Sequence, residues 1–128
     1  MGNIVTNIGG VLSAVTNTIA YTDSSAVTVG TIPANAQIVD INIDVTTAFN
    51  AGTTNTIAVG KSGSAAAYAA ATSVSSAGRA SVASTGVYSA WADVGAAEVP
   101  VTATFAQTGT AASAGAARVT VVYRSPAP

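Results

Sequence analysis

Residues 38 to 46 set the strongest constraint on what this chain can fold into. Val39, Ile41, Ile43 and Val45 alternate there with Asp40, Asn42, Asp44 and Thr46, a strict period of two that suits a strand with one buried face. The rest of the chain agrees. Seventeen Val and eight Ile stand against a single Leu, and side chains branched at Cβ are stiff at χ1 and pack well on a pleated surface. Ala (29), Thr (18), Ser (13) and Gly (12) make up 72 of the 128 residues. A domain of this length buries roughly two-thirds of its unfolded surface, so one compact all-β unit is expected, its core built largely from Ala and Val.

Further strands follow from the same alternation. Phe49-Asn50-Ala51-Gly52 has turn chemistry, and residues 54 to 60 resume the pattern with Ile57 and Val59 inward, which predicts a hairpin with residues 38 to 46. Val99, Val101, Ala103 and Phe105 mark another strand, and Val119, Val121 and Tyr123 a second. The Gly-, Ala-, Ser- and Thr-rich stretch 107 to 117 between them reads as a loop that projects from the body. Residues 26 to 32, ending at Pro33, and residues 81 to 91, interrupted at Gly86, are strand-like too. Residues 65 to 71 leave a short Ala-rich helix and an irregular loop both open. Near the start, Ile4, Ile8, Leu12, Val15 and Ile19 fit a helical face, whereas Val11, Val15, Ile19 and Tyr21 fit one side of a strand. Gly9-Gly10 and the Asn and Thr content favour an extended arm leading into a strand. The expected organisation is an arm over residues 1 to 20, with room for a first strand, and an antiparallel β-sandwich over 21 to 128, a jelly roll being one closure open to it.

Composition excludes whole classes of function. Charged residues are 7% of the chain against roughly 25% in an average globular protein. Lys61, Arg79, Arg118 and Arg124 stand apart in a chain of net charge −1, so no nucleic-acid footprint exists. There is no His and no Cys; disulfides, thiolate nucleophiles, imidazole bases and the commonest zinc sites drop out together, and no cofactor is expected. No apolar run is long enough for a membrane-spanning helix. The first twenty residues contain no Lys or Arg, so no secretory leader is expected and folding in a cytoplasm is.

Three local patterns imitate chemistry and fall short of it. Gly60-Lys61-Ser62 resembles the end of a phosphate loop, but Asn55 stands where the first Gly is needed. Asp40, Asn42 and Asp44 open like a calcium loop, yet Val45 occupies the Gly position and Ala51 that of the bidentate Glu; on a strand they form an outward polar row. Lys61 beside Ser62 and Ser64 is the sole Ser-Lys candidate, and Asp23, Asp40, Asp44, Asp93 and Glu98 are a small pool for paired carboxylates. Trp91, near Tyr88, fills the core or anchors a contact.

The block Ile32-Pro33-Ala34-Asn35-Ala36-Gln37-Ile38, running on through Thr46-Thr47-Ala48-Phe49-Asn50-Ala51-Gly52-Thr53, resembles a segment of small structural proteins of tailed bacteriophage virions. So does Thr104-Phe105-Ala106-Gln107-Thr108-Gly109-Thr110, followed by Gly115 and the last strand through Tyr123. Such proteins include capsid decoration (cement) proteins and head or tail fibre subunits. The resemblance implies a non-enzymatic virion component assembled in the host cytoplasm, a homotrimer whose partner is the phage major capsid protein. The residues themselves add the contacts: Ile4, Val5, Ile8 and Leu12 make the arm apolar while Gly9-Gly10 keeps it pliable, so it is expected to order along a neighbouring subunit, with Tyr88 and Trp91 as contact aromatics. Two rivals belong to other classes. Host-surface glycan binding would rest on Tyr88 and Trp91, and ice binding on Thr16, Thr18, Thr54, Thr56, Thr102 and Thr104, which share strand faces without a regular repeat.

Overall fold

A computed structural model describes residues 12 to 82 and 88 to 125, apart from the side chains of Ser81, Tyr88 and Ser89. Among these residues, eight strands and one short helix follow in the order β1 (Leu12–Ala20), β2 (Val27–Ile32), β3 (Gln37–Thr47), β4 (Thr54–Lys61), β5 (Ser64–Ser73), β6 (Gly78–Ser81), α1 (Tyr88–Ala92), β7 (Val99–Thr108) and β8 (Ala116–Arg124). They form two antiparallel sheets, β1-β8-β3-β6 and β2-β7-β4-β5. This interleaving of early and late strands in two four-stranded sheets is the jelly roll.

Alternation builds the core. Ile41, Ile43 and Val45 of β3, Ile57 and Val59 of β4, Val101 and Ala103 of β7, and Val119 and Val121 of β8 are all buried between the sheets. Val39 breaks the expected pattern and is 42% exposed. The register of β3 on β8 shifts between Ile38 and Asp40; the extra residue of this bulge is Val39, which goes unpaired and lets both Ile38 and Ile41 face inward.

The predicted hairpin between residues 38 to 46 and 54 to 60 does not form. β3 is flanked by β8 and β6, and β4 by β7 and β5, so residues 48 to 53 cross from one sheet to the other. Phe49 plugs this crossing, buried with its ring centroid 4.7 Å from that of Phe105 and tilted by 41°. Gly115 lies against the same ring, where any Cβ would collide with it. Asn55, 3% exposed, clamps the crossing: its Oδ1 accepts the Ala51 N–H at 2.8 Å and its Nδ2 donates to the Ala51 carbonyl at 3.2 Å.

Other expectations are corrected as well. Residues 65 to 71 are neither helix nor loop but lie within β5, because their Ala side chains are small enough for a strand that bulges repeatedly against β4. Gly60 permits that bulge, since a Cβ there would strike the Ser64 and Ala65 main chain. The stretch 81 to 91 is not one strand: β6 ends at Ser81, and residues 88 to 92 are helical. The stretch 107 to 117 does not project. Asn50 Oδ1 accepts the N–H groups of Ser113 and Ala114 at 2.8 and 3.0 Å, and the Gly52 N–H donates to the Thr110 carbonyl at 2.8 Å. Of the arm, Leu12 to Ala20 is a strand paired with β8 along its whole length; residues 1 to 11 lie outside the described residues.

Two substitutions test the packing. Asn55→Ala strands the Ala51 main-chain groups in the interior, so urea unfolding should show a loss of about 2 kcal/mol; a loss below about 0.5 kcal/mol would mean that the clamp carries no stability. Tyr68 is 1% exposed and its hydroxyl has no partner among the described residues. Tyr68→Phe should therefore gain up to about 1 kcal/mol. Burial also pushes the Tyr68 pKa above its ordinary 10.0. Above that pH the unfolded phenol loses its proton while the folded one keeps it, so stability falls as pH rises beyond the ordinary value, and Tyr68→Phe should flatten that fall.

Candidate functional site

The outer face of the sheet β1-β8-β3-β6 collects most of the charge. Its cross-strand rows run Thr18, Arg118, Asp44, Arg79 and, one step along, Thr16, Thr120, Asn42. Arg124 lies further along the same side of β8, beside Leu12 and Gln37 on the two neighbouring strands. Arg79, Arg118, Arg124, Asp40 and Asp44 are five of the nine charged residues of the chain. They leave this face at +1, three cations against two acids, whereas Lys61, Asp23, Asp93 and Glu98 leave the remainder at −2. The acidic protein thus carries a basic face.

That face is ordered by its own bonds. The Arg79 Nε donates to Asn42 Oδ1 at 3.0 Å, and Asn42 Nδ2 donates to Asp40 Oδ2 at 3.0 Å. Asp40 Oδ1 accepts the Ile41 N–H at 2.9 Å, and the hydroxyls of Thr16 and Thr120 share a hydrogen bond of 3.0 Å. Asp40, Asn42 and Asp44 are therefore a strand row in which Asp40 bonds to Asn42 and Asn42 to Arg79, while Asp44 stands between Arg118 and Arg79 in the cross-strand row. Among the described residues no group of three His, Cys, Asp or Glu side chains could hold a metal.

The opposite sheet presents a different surface. Its strands carry no charge apart from Lys61 at the end of β4, and Thr, Ala, Gly and Pro face outward there. At one end the β4–β5 turn overhangs a shallow groove of about 540 Å³ lined by Ala26, Lys61, Ser62, Gly63, Ser64, Ala65, Thr102 and Thr104. Strand β5, not a helix, follows Lys61, so the phosphate-loop context is missing. Lys61 and Ser64 are ladder partners across the turn, but among the described residues no side-chain hydrogen bond joins Lys61 to Ser62 or Ser64, and the Ser-Lys pair is not assembled.

The contact residues expected from sequence are dispersed. Leu12 opens edge strand β1 and is 54% exposed. Trp91 lies on α1, half-buried against the core, with its indole N–H donating to the Tyr68 carbonyl at 2.6 Å. Helix α1 packs on β3 and β5, with β8 between β3 and β1. Ile4, Val5 and Ile8, like the Tyr88 side chain, lie outside the described residues. The charged face went unread because Arg118 and Arg124 meet Asp40, Asp44 and Arg79 only through strand order. Alternation along residues 119 to 124 did set Thr120 and Arg124 opposite the inward Val119, Val121 and Tyr123.

No family model and no curated protein matches the chain. Two solved structures share its architecture. A chain of the cyanophage Pam1 capsid asymmetric unit superposes with a TM-score of 0.74 at 23% identity, covering 98% of this chain and 93% of that one. A chain of the capsid of Ralstonia phage GP4 does so with a TM-score of 0.66 at 17% identity, covering 100% and 93%. The fold is one found in phage capsids. It spans nearly the whole of each chain, so the likeness is to a complete jelly roll and not to one hairpin of it.

The geometry around Asp40 and Lys61 makes a direct prediction. Neither calcium nor magnesium-ATP should raise the melting temperature or give heat in calorimetry, because no ligand cage or phosphate cradle is present among the described residues. Micromolar binding abolished by Asp40→Asn or Lys61→Ala would contradict this.

Proposed function

We propose that this chain is a non-enzymatic subunit of a phage virion, a decoration protein that sits on the outer surface of the head and stabilises the shell. The observation that carries the reading is the jelly roll shared end to end with chains of two phage capsids. Composition supports it: a chain without His or Cys and with 7% charged residues is suited to occupying surface and burying area against neighbours. The partner is the major capsid protein, and the protein's own assembly is a homotrimer formed in the host cytoplasm.

In this reading the basic outer face of β1-β8-β3-β6 is turned toward the shell. Its charge attracts an acidic surface, and it steers docking more than it adds affinity. Ile4, Val5, Ile8 and Leu12 fasten the arm along a neighbouring subunit, where their apolar side chains favour burial in the assembly. Tyr88 and Trp91 supply a second, smaller contact. Stabilisation is then linkage: a ligand that binds the assembled shell and not its separated subunits shifts the equilibrium toward assembly.

A second reading, a fibre or host-surface subunit that binds glycan, is favoured by the hydroxyl-lined groove beside Lys61.

Binding to undecorated capsids separates the two. Deleting residues 2 to 10 should leave the circular dichroism spectrum nearly unchanged and weaken capsid binding by about tenfold or more, and Arg118→Glu should slow association at low salt. Full binding by both variants would overturn the proposal. Capsid binding absent in the intact chain, with glycan binding lost in Lys61→Ala, would establish the second reading.

A further inference from the structure

A two-sheet sandwich has four edges, and an unprotected edge pairs with other chains. Three of them are blunted here. Strand β6 has four residues and carries Arg79. The register of β2 on β7 shifts between Thr28 and Gly30, and the Thr28 carbonyl is taken by Asn17 Nδ2 at 2.9 Å. Strand β5 loses register with β4 twice. Strand β1 is different: its nine residues pair with β8 without a break, and none is charged.

Half of β1 is nevertheless closed. Along an antiparallel ladder, the main-chain groups of alternate residues point to opposite sides. Odd-numbered positions turn toward β8, a sense continued just past the strand by the Tyr21 N–H, which donates to the Gly115 carbonyl at 3.0 Å. Even-numbered positions turn away. Of these, the Thr18 N–H is taken by Asn17 Oδ1 at 2.8 Å and the Ala20 N–H by Asp23 Oδ2 at 2.7 Å. Among the described residues nothing bonds to the N–H groups of Ala14 and Thr16. The open half runs from Leu12 to Thr16, and Leu12 is one of two large apolar side chains exposed on the described surface.

We propose that this half-edge is filled by the same half-edge of a second copy, paired antiparallel about a two-fold axis at Ala14. The stoppers at Thr18 and Ala20 select that register. Centred on Ala14, the pairing sets Leu12 against the partner's Thr16 and Thr16 against the partner's Leu12, so open positions meet open positions on both sides. Such an isologous contact closes after two copies. It joins the two β1-β8-β3-β6 sheets into one continuous sheet and sets Leu12 beside the partner's Thr16 on its outer face. Charge offers no obstacle, because β1 has none. Facing β8 strands would lie three strand spacings apart, about 14 Å, beyond the physiological screening length of about 8 Å. The contact uses an edge and leaves the outer face free; being two-fold, it is separate from the three-fold contacts of the proposed homotrimer and joins copies of different trimers, so it goes beyond the capsid reading and does not depend on it.

The natural chain contains no Cys, which makes a single introduced thiol a clean probe. In the proposed pair the two Ala14 Cα atoms are about 5.5 Å apart, within disulfide reach. Mild oxidation of purified full-length Ala14→Cys should give a covalent dimer on a non-reducing gel, and Thr18→Cys on the same strand should not. Ala14→Pro removes the outward N–H without touching the β8 ladder. It should keep the circular dichroism spectrum of the folded sandwich and weaken self-association in sedimentation by about tenfold or more. Equal cross-linking of both Cys variants, no cross-linking of Ala14→Cys, or undiminished association of Ala14→Pro would overturn the proposal. So would an Ala14→Cys cross-link that forms only when residues 2 to 10 are deleted, which would give the half-edge to the arm in the intact chain. None of these measurements involves a capsid, so their failure leaves the decoration reading to its own test.

Discussion

Two stacked sheets stand about 10 Å apart, and this chain fills that gap with Ile, Val and Ala, aided by Phe49, Phe105 and Tyr68. The features that make the fold specific follow from that shortage of volume. β-Branched side chains reach only a short way, so inward positions from both sheets must interdigitate along whole strands, and any slip in register would expose them. Bulges at Val39 and in β5 restore the inward sense where the strands bend. Phe49, lodged at the crossing between β3 and β4 and pressed by Gly115, closes one end where no aliphatic side chain would span the gap.

The same economy governs the surface. Five of nine charges lie on one sheet face, and the strands of the other sheet carry only Lys61. Side-chain hydrogen bonds substitute for charge in tying down loops and edges: Asn50 holds the connection after β7, Asn55 the crossing, and Asn17 and Asp23 half of an edge. A small sandwich built in this way has one basic face, one neutral face and one partly open edge. Under the proposed function these separated surfaces let a face and an edge engage different neighbours without competing.

Period two along the chain was enough to place β3, β4, β7 and β8, since each buries one face and its pattern is local. It could not say which strand lies beside which. The neighbouring patterns of β3 and β4 read as a hairpin, yet their connection spans two sheets, a choice made by the burial of Phe49 and the Asn55 bonds. Ala-rich β5 lacks any hydrophobic contrast between its faces, so its strand state depends on pairing with β4 and not on its own propensity. The helix at Tyr88 to Ala92 is too short to announce itself. Within the candidate site, the outward positions of Asp40, Asn42 and Asp44 were legible. Their meeting with Arg79 and Arg118 was not, because it is set by strands distant in sequence.

The proposed decoration role depends on where the protein sits in a particle and which side it turns to the shell. Electron cryo-microscopy of capsids with and without the protein measures both. The account predicts added density on the outer head surface that fits the jelly roll, with Arg79, Arg118 and Arg124 facing the capsid. Heads without added density, or density with the uncharged sheet β2-β7-β4-β5 against the shell, would contradict it.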